Sequence, residues 1–260
     1  MQVDRRGLRP RDAADAAVLD DRRRLRAPWR PRRAPAPRTP RSPTTERHPV
    51  ARVRPARAAR LGEVRGAGSA AVRRTAFLDR DGTVNRDVDY CRSPEQLELL
   101  PGAADAISRL AAANFQCVIV TNQSGVARGF LTEDGLARIH AALHQQLGGV
   151  PIAYLHCPHH PEQVAGDPGY CRVCACRKPA PGLLHQACDL LAPFGVTLEG
   201  GVVIGDSARD LLMGQGLPVQ KVLVRSGKPI EEQRQLLDAA GCHPDHECND
   251  LAAAVDWLLA

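Results

Sequence analysis

The chain has 260 residues, with 35 Lys plus Arg against 29 Asp plus Glu, a formal charge of +6 that taken alone would point to a polyanionic partner or an anionic membrane surface. The charge is unevenly placed: residues 1–74 hold 21 Arg, no Lys and 7 acids, a net +14, while residues 75–260 hold 11 Arg, 3 Lys and 22 acids, a net −8. No stretch reaches the roughly 18 consecutive apolar residues of a spanning helix, and the N-terminus lacks the apolar centre of a secretory signal, so the expectation is a cytoplasmic protein with no membrane partner.

Residues 1–74 carry nine of the 21 Pro, one of the nine aromatics (Trp29) and none of the nine Cys. Such a segment buries too little apolar surface to offset chain entropy, and it is predicted to be disordered. Asp4, Asp12, Asp15, Asp20 and Asp21 argue against a mitochondrial presequence. Arg, Pro and Ala are also what GC-rich codons encode, and the only methionines are Met1 and Met213, so a second reading starts translation at Val64 or Val72. The remaining 186 residues, 75–260, suit one domain with a proper core.

From residue 75 short β-branched runs alternate with helical periods, the pattern of a doubly wound parallel α/β sheet. The predicted strands are Thr75–Leu78, Cys117–Val120, Gly201–Ile204 and Lys221–Val224, with a further strand and helix between Thr121 and Lys178. Helical stripes follow Pro101-Gly102 (Ala104, Ile107, Leu110, Ala111), Thr132 (Leu136, Ile139, Leu143, Leu147) and Pro179/Pro181 (Leu183, Leu184, Ala187, Leu190, Leu191), and are read as core faces. Leu251–Leu259 reads as a closing amphipathic helix.

Asp79, Thr121 and Asp206 each fall at or just beyond the carboxyl end of a predicted strand, where open parallel sheets place their ligand crevice, so they should converge on one site. In Asp79-Arg80-Asp81-Gly82-Thr83 two carboxylates leave the first strand two residues apart. One can attack phosphorus while the other gives and takes a proton. An acidic site of this kind needs a hard divalent cation, and an ammonium or guanidinium to receive phosphate oxygens.

These residues resemble the motifs of the haloacid-dehalogenase superfamily: Asp79-x-Asp81-Gly82-Thr83 its first, Thr121-Asn122 its second, Lys178 its third, and Gly205-Asp206 with Asp210 its fourth, over about residues 75–228. The resemblance implies an aspartyl-phosphate on Asp79, proton transfer by Asp81, and Mg²⁺ held by Asp79, Asp206 and the Asp81 main-chain carbonyl. It also implies phosphate contacts from Thr121 and Lys178, with Arg177 beside them. About 40 residues separate Asp81 from Thr121 and 57 separate Thr121 from Lys178, which leaves no room for a cap domain.

Cys157-Pro158-His159-His160-Pro161 and Cys174-Ala175-Cys176 flank a Gly/Pro loop and offer Cys-x-His and Cys-x-Cys pairs to a tetrahedral Zn²⁺, with Cys171 and His160 as competing ligands. The loop, 157–176, resembles that of the zinc-bearing subfamily of heptose 1,7-bisphosphate and histidinol-phosphate phosphatases, which implies Cys157, His159, Cys174 and Cys176 as ligands. Thr121–Gly129 and Cys157–Pro161 look more like the heptose enzymes, which implies removal of the 7-phosphate of a manno-heptose 1,7-bisphosphate; a monomer is expected. Candidate substrate contacts are Asp87, Asp89, Tyr90, Asn122, Gln123, Ser124, Arg128 and Arg177, the last two for a second phosphate. Ser207 departs from the family, which often has Lys there. The competing readings are a histidinol-phosphate phosphatase, a phosphatase of nucleic-acid ends, and a non-enzymatic zinc protein binding nucleic acid through its Arg-rich arm.

Overall fold

The computed structural model describes residues 73–260, so the predicted tail and its nucleic-acid reading lie outside the described residues apart from Arg73 and Arg74. The first strand, β1 (Arg74–Leu78), starts one residue earlier than predicted, because Arg74 pairs in register with Phe115 and lays its guanidinium 4.1 Å over that ring. In chain order follow α1 (Ala103–Ala112), β2 (Phe115–Asn122), α2 (Glu133–Gln146), β3 (Ala153–Cys157), α3 (Gly182–Leu191) and β4 (Gly201–Gly205). Then come α4 (Ala208–Met213), β5 (Val219–Val224), α5 (Ile230–Ala239), β6 (His246–Cys248) and α6 (Leu251–Leu259). Every strand pair is parallel and the order is β3-β2-β1-β4-β5-β6.

Both faces of such a sheet are covered, so its strands are apolar without alternation in polarity, yet side chains still point to opposite faces in turn. Ala76 and Leu78 of β1 and Ile204 of β4 pack with Ile107 and Leu110 of α1 and with Ala254 and Val255 of α6. Phe77, Val118, Val120 and Val203 face the other way, onto Leu183, Leu184 and Ala187 of α3. The predicted helical stripes hold at these positions but fail at their ends. Ala111 and Leu190 are exposed, the latter by 46%, because each sits in the last turn of its helix.

The chain runs outward from β1 through β2 to β3, then crosses back to β4 on the other side of β1. The resulting switch point flanks β1, and a crevice opens there beyond the strand ends. Register fixes the alignment: Leu78 lies opposite both Ile119 and Ile204, and the Asp79 N–H donates to the Ile204 carbonyl at 2.9 Å. Asp79, Thr121 and Asp206 are therefore neighbours at the carboxyl ends of β1, β2 and β4. Between Asp81 and Thr121 the elements are a loop, one 3-10 turn, α1 and most of β2; between Thr121 and Lys178 they are α2, β3 and the Cys/His loop with its 3-10 turn. Among the described residues neither stretch carries an inserted cap domain, and no helix is long and apolar enough to cross a membrane.

Candidate active site

A cavity of about 320 Å³ lies over the carboxyl ends of β1, β2 and β4. It is lined by Asp79, Asp81, Thr121, Lys178 and Asp206, and also by Asp87, Asp89, Tyr90, Asn122, Gln123, Ser124, Arg128 and Arg177, so the structure brings together every predicted residue of the phosphate site and its surroundings.

At the floor the Lys178 ammonium donates to Asp79 Oδ1 at 2.6 Å, to Asp210 Oδ1 at 2.5 Å and to the Val120 carbonyl at 3.0 Å. It is held there by its own backbone, because Asn122 accepts from the Lys178 N–H and donates to the Lys178 carbonyl, both at 3.1 Å. The Lys178–Pro179 peptide bond is cis. Asp210 reaches inward from α4, with its second oxygen accepting from the Ser207 N–H and hydroxyl at 3.1 and 2.6 Å. Asp206 accepts from the Lys228 N–H at 2.9 Å, and the chain closes so tightly round it that a Cβ at Gly82 or Gly227 would collide with its carboxylate.

Burial pushes the Asp79 carboxyl well up, against the pull of Lys178 and with the help of Asp210, Asp206 and Asp81. Asp206 rises to about 7, chiefly by burial and then by repulsion from Asp210. Lys178 would lose proton affinity by burial alone, but Asp210 and Asp79 outweigh this and raise it. Asp79, Asp206 and Asp210 can place oxygens within 4.8 Å of one another. Three carboxylates against one ammonium leave a formal −2, the charge one divalent cation would balance, and an all-oxygen donor set suits Mg²⁺.

Asp81 is held differently. Burial works to raise its pKa, but the adjacent Arg80 guanidinium and hydrogen bonds from Asn85, Arg80 and Gln123 prevail and keep the carboxyl below the usual range. The contacts are 2.8–3.1 Å from Arg80, 3.0 Å from Asn85 and 2.9 Å from Gln123. Gln123 also donates to the Thr121 hydroxyl at 2.9 Å. Asn122 and Gln123, predicted to touch substrate, are thus engaged with Lys178, Asp81 and Thr121 while still lining the cavity. Arg80 is 1% exposed and lies 3.3 Å from His140 Nε2; burial, then the Arg80 charge, push that imidazole well below its ordinary pKa, so it is neutral.

The Cys/His loop gathers four ligand atoms. Cys157 Sγ is 3.6 Å from His159 Nδ1 and 3.5 Å from Cys174 Sγ, and Cys176 Sγ is 3.3 Å from each of His159 Nδ1 and Cys174 Sγ. Ligands about 2.3 Å from a tetrahedral Zn²⁺ stand about 3.8 Å apart, so this set fits with a slight expansion. Among the described residues Cys171 and His160 stay outside it: Cys171 faces the Asp167 carbonyl at 3.6 Å, and His160 Nε2 lies 3.0 Å from Arg128. Contact with Cys157 holds the Cys176 thiol down to about 5, while Cys157 is pushed up by the same pairing. Three crowded thiols cannot all ionise without a cation between them. Arg177, the residue after Cys176, donates through Nη1 to the His159 carbonyl at 3.0 Å.

Three lining cations were not singled out in the sequence, Arg80, which clasps Asp81, and also Lys228 and Arg209. Lys228 lies four residues beyond β5 and pairs with Asp87 at 2.5 Å; its signal was present, a Gly-Lys-Pro shortly after a strand in a domain with three Lys. Arg209 in α4 left no such signal.

The HAD-hydrolase-like family model matches residues 175–254. The D-glycero-β-D-manno-heptose-1,7-bisphosphate 7-phosphatase of Bordetella bronchiseptica is 40% identical over 189 residues, 70% of this chain and 96% of that one. That of Pasteurella multocida is 38% identical over 165 residues, 62% of this chain and 86% of the other. Among solved structures, D,D-heptose 1,7-bisphosphate phosphatase from B. bronchiseptica complexed with magnesium and phosphate has a TM-score of 0.57 at 38% identity, covering 72% of this chain and 98% of that chain. With its parallel sheet and the residues at its strand ends, the chain belongs to the haloacid-dehalogenase-like hydrolases, in the family of the heptose 1,7-bisphosphate 7-phosphatases.

Proposed function

We propose that the chain is a Mg²⁺-dependent phosphatase that removes the 7-phosphate of D-glycero-D-manno-heptose 1,7-bisphosphate through an aspartyl-phosphate on Asp79. The observation that carries this reading is the Asp79–Lys178 pair, 2.6 Å apart on the floor of a cavity whose walls bear guanidinium groups. An Asp79 oxygen attacks phosphorus, the bond from phosphorus to the sugar oxygen breaks, and Asp81 protonates the departing alkoxide. Water then attacks the aspartyl-phosphate as Asp81 takes its proton, and inorganic phosphate leaves. The Arg80 clasp keeps Asp81 ionised at rest, the form the second half needs; the approach of an anionic phosphate raises its proton affinity for the first half.

Lys178 and the Thr121 hydroxyl receive phosphate oxygens, and Arg177 with Arg128 faces the remaining phosphate. Asp79, Asp206 and the Asp81 carbonyl would hold Mg²⁺, which supplies charge neutralisation as the phosphoryl group transfers. Cys157, His159, Cys174 and Cys176 would hold Zn²⁺ as a structural tie, fixing the strand end at Cys157 to the loop that carries Arg177 and Lys178. Asp87, Asp89, Tyr90 and Ser124 border the sugar. We read the chain as a monomeric enzyme and place it in the cytoplasm.

A panel of both heptose bisphosphate anomers and histidinol phosphate under Mg²⁺ should give a kcat/KM for a heptose anomer at least about tenfold above that for histidinol phosphate, and Asp79→Asn should lower turnover by at least about a thousandfold. Faster histidinol phosphate turnover would overturn the substrate reading. A Zn²⁺ chelator, with Mg²⁺ then restored, should lower turnover more than about tenfold and re-added Zn²⁺ should recover it; unchanged turnover would sever the metal from the loop. Gly227→Ala forces Asp206 aside and should raise the half-saturating Mg²⁺ concentration about tenfold, read from Mg²⁺ titrations of activity.

A further inference from the structure

Arg80 stands between Asp79 and Asp81 and is fully buried, so the N–H groups of its guanidinium need partners inside the protein. Nε and Nη2 are engaged by Asp81, at 2.8–3.1 Å. Nη1, at the other end of the planar group, lies 3.3 Å from His140 Nε2. Arginine only donates, so Nε2 accepts and the ring proton sits on Nδ1. With partners at both ends the guanidinium plane has one orientation, and the Asp81 carboxylate is aligned with it.

His140 is buried on the face of α2 that also buries Leu136, Ile139 and Leu143, where an apolar side chain would pack as well. Its surroundings are built round the ring rather than round a hydrocarbon. Tyr154 of β3 stacks on it, centroids 5.2 Å apart at 28°, and His156 of the same strand meets it at 63° with centroids 5.7 Å apart. His156 is tied in turn to Glu133 at the start of α2, at 2.7 Å. The ring is thereby clamped between a helix and a strand, and through Arg80 the clamp reaches Asp81. Leucine at this position would fill the space and leave one end of the guanidinium unheld.

We propose that His140 is a positioning residue for proton transfer: it fixes the Arg80 guanidinium, which aligns the Asp81 carboxylate with the departing sugar oxygen. This rests on the phosphatase reading given above, in which Asp81 protonates that oxygen as its bond to phosphorus breaks. Loss of His140 should therefore be felt where the leaving group needs a proton. A sugar alkoxide needs one, whereas p-nitrophenolate departs as a stable anion.

The test measures kcat/KM, which covers the steps up to release of the leaving group, on two esters. One is p-nitrophenyl phosphate; the other is the alkyl phosphate, heptose bisphosphate or histidinol phosphate, that the panel above turns over faster. Their ratio does not depend on what fraction of a variant folds. His140→Leu, which has no acceptor, and His140→Asn, whose amide oxygen stops short at the place of Nδ1, should lower kcat/KM for the alkyl ester at least about tenfold and for p-nitrophenyl phosphate no more than about twofold. His140→Gln, which carries an oxygen to the place of Nε2, should keep the ratio of the unaltered chain. A histidine that only fills the core would depress both esters together, so equal losses, or an unchanged ratio in His140→Leu and His140→Asn, overturn the assignment. If the unaltered chain turns over neither ester, the phosphatase reading falls and takes the assignment with it.

Discussion

The buried ammonium of Lys178 is the contact on which the site is built. It binds Asp79 at the end of β1, the Val120 carbonyl in β2 and Asp210 in α4, so a single nitrogen joins two strands, a helix and the loop that carries it. An unpaired charge at 4% exposure would cost several kcal/mol, and breaking such a pair costs about 3–5 kcal/mol because the partner is left buried and alone. The balance is nevertheless incomplete, since Asp206 and one further unit of negative charge have no counterpart. Burial answers this in the metal-free chain by raising the carboxyl pKa values of Asp79 and Asp206. A divalent cation would answer it without protonation and would leave Asp79 ionised for its proposed role as nucleophile. The same crowding of carboxylates that raises these pKa values is what would draw a divalent cation to the site.

Lys178 can be placed so accurately only if its loop is rigid, and that loop has little apolar material with which to fold. Val173, near its tip, is 84% exposed. What the loop has instead is the four-ligand cluster, one end anchored at Cys157 in β3 and the other at Cys176, two residues before Lys178. A metal cross-link at these four ligands would supply the order that hydrophobic burial cannot, and the Arg177 contact with the His159 carbonyl would extend that order to the guanidinium.

The parallel sheet and the convergence of Asp79, Thr121 and Asp206 were legible because a parallel strand sends its chain out at a fixed edge, whatever the helices between do. Lys178 was legible because it precedes a proline and a helical stripe in a domain with few lysines. The choice of His159 and Cys174 over His160 and Cys171 was not decided by spacing; it depends on which side chains the loop turns inward. Asn122 and Gln123 illustrate another limit. Sequence places amides beside a phosphate site but does not say that they turn towards Lys178 and Asp81. Short β6, only three residues, carries no periodic signal, and Ala111 and Leu190 continue a core stripe past the point where the sheet beneath it ends.

Net charge was the least informative number in the sequence. The domain that holds the site is acidic by eight, yet its proposed substrate is a polyanion. Screening resolves the conflict, since at physiological ionic strength exposed charges beyond about 8 Å contribute little. With Arg80 spent on Asp81, what an arriving phosphate meets is the local set, Arg128, Arg177, Arg209 and Lys228 on the walls and Lys178 at the floor. Two of these are tied to the Cys/His loop or its neighbours, one to Asp87, and one stands apart on α4. The attraction is therefore a property of where five side chains are held, and it would survive any redistribution of acids over the rest of the surface.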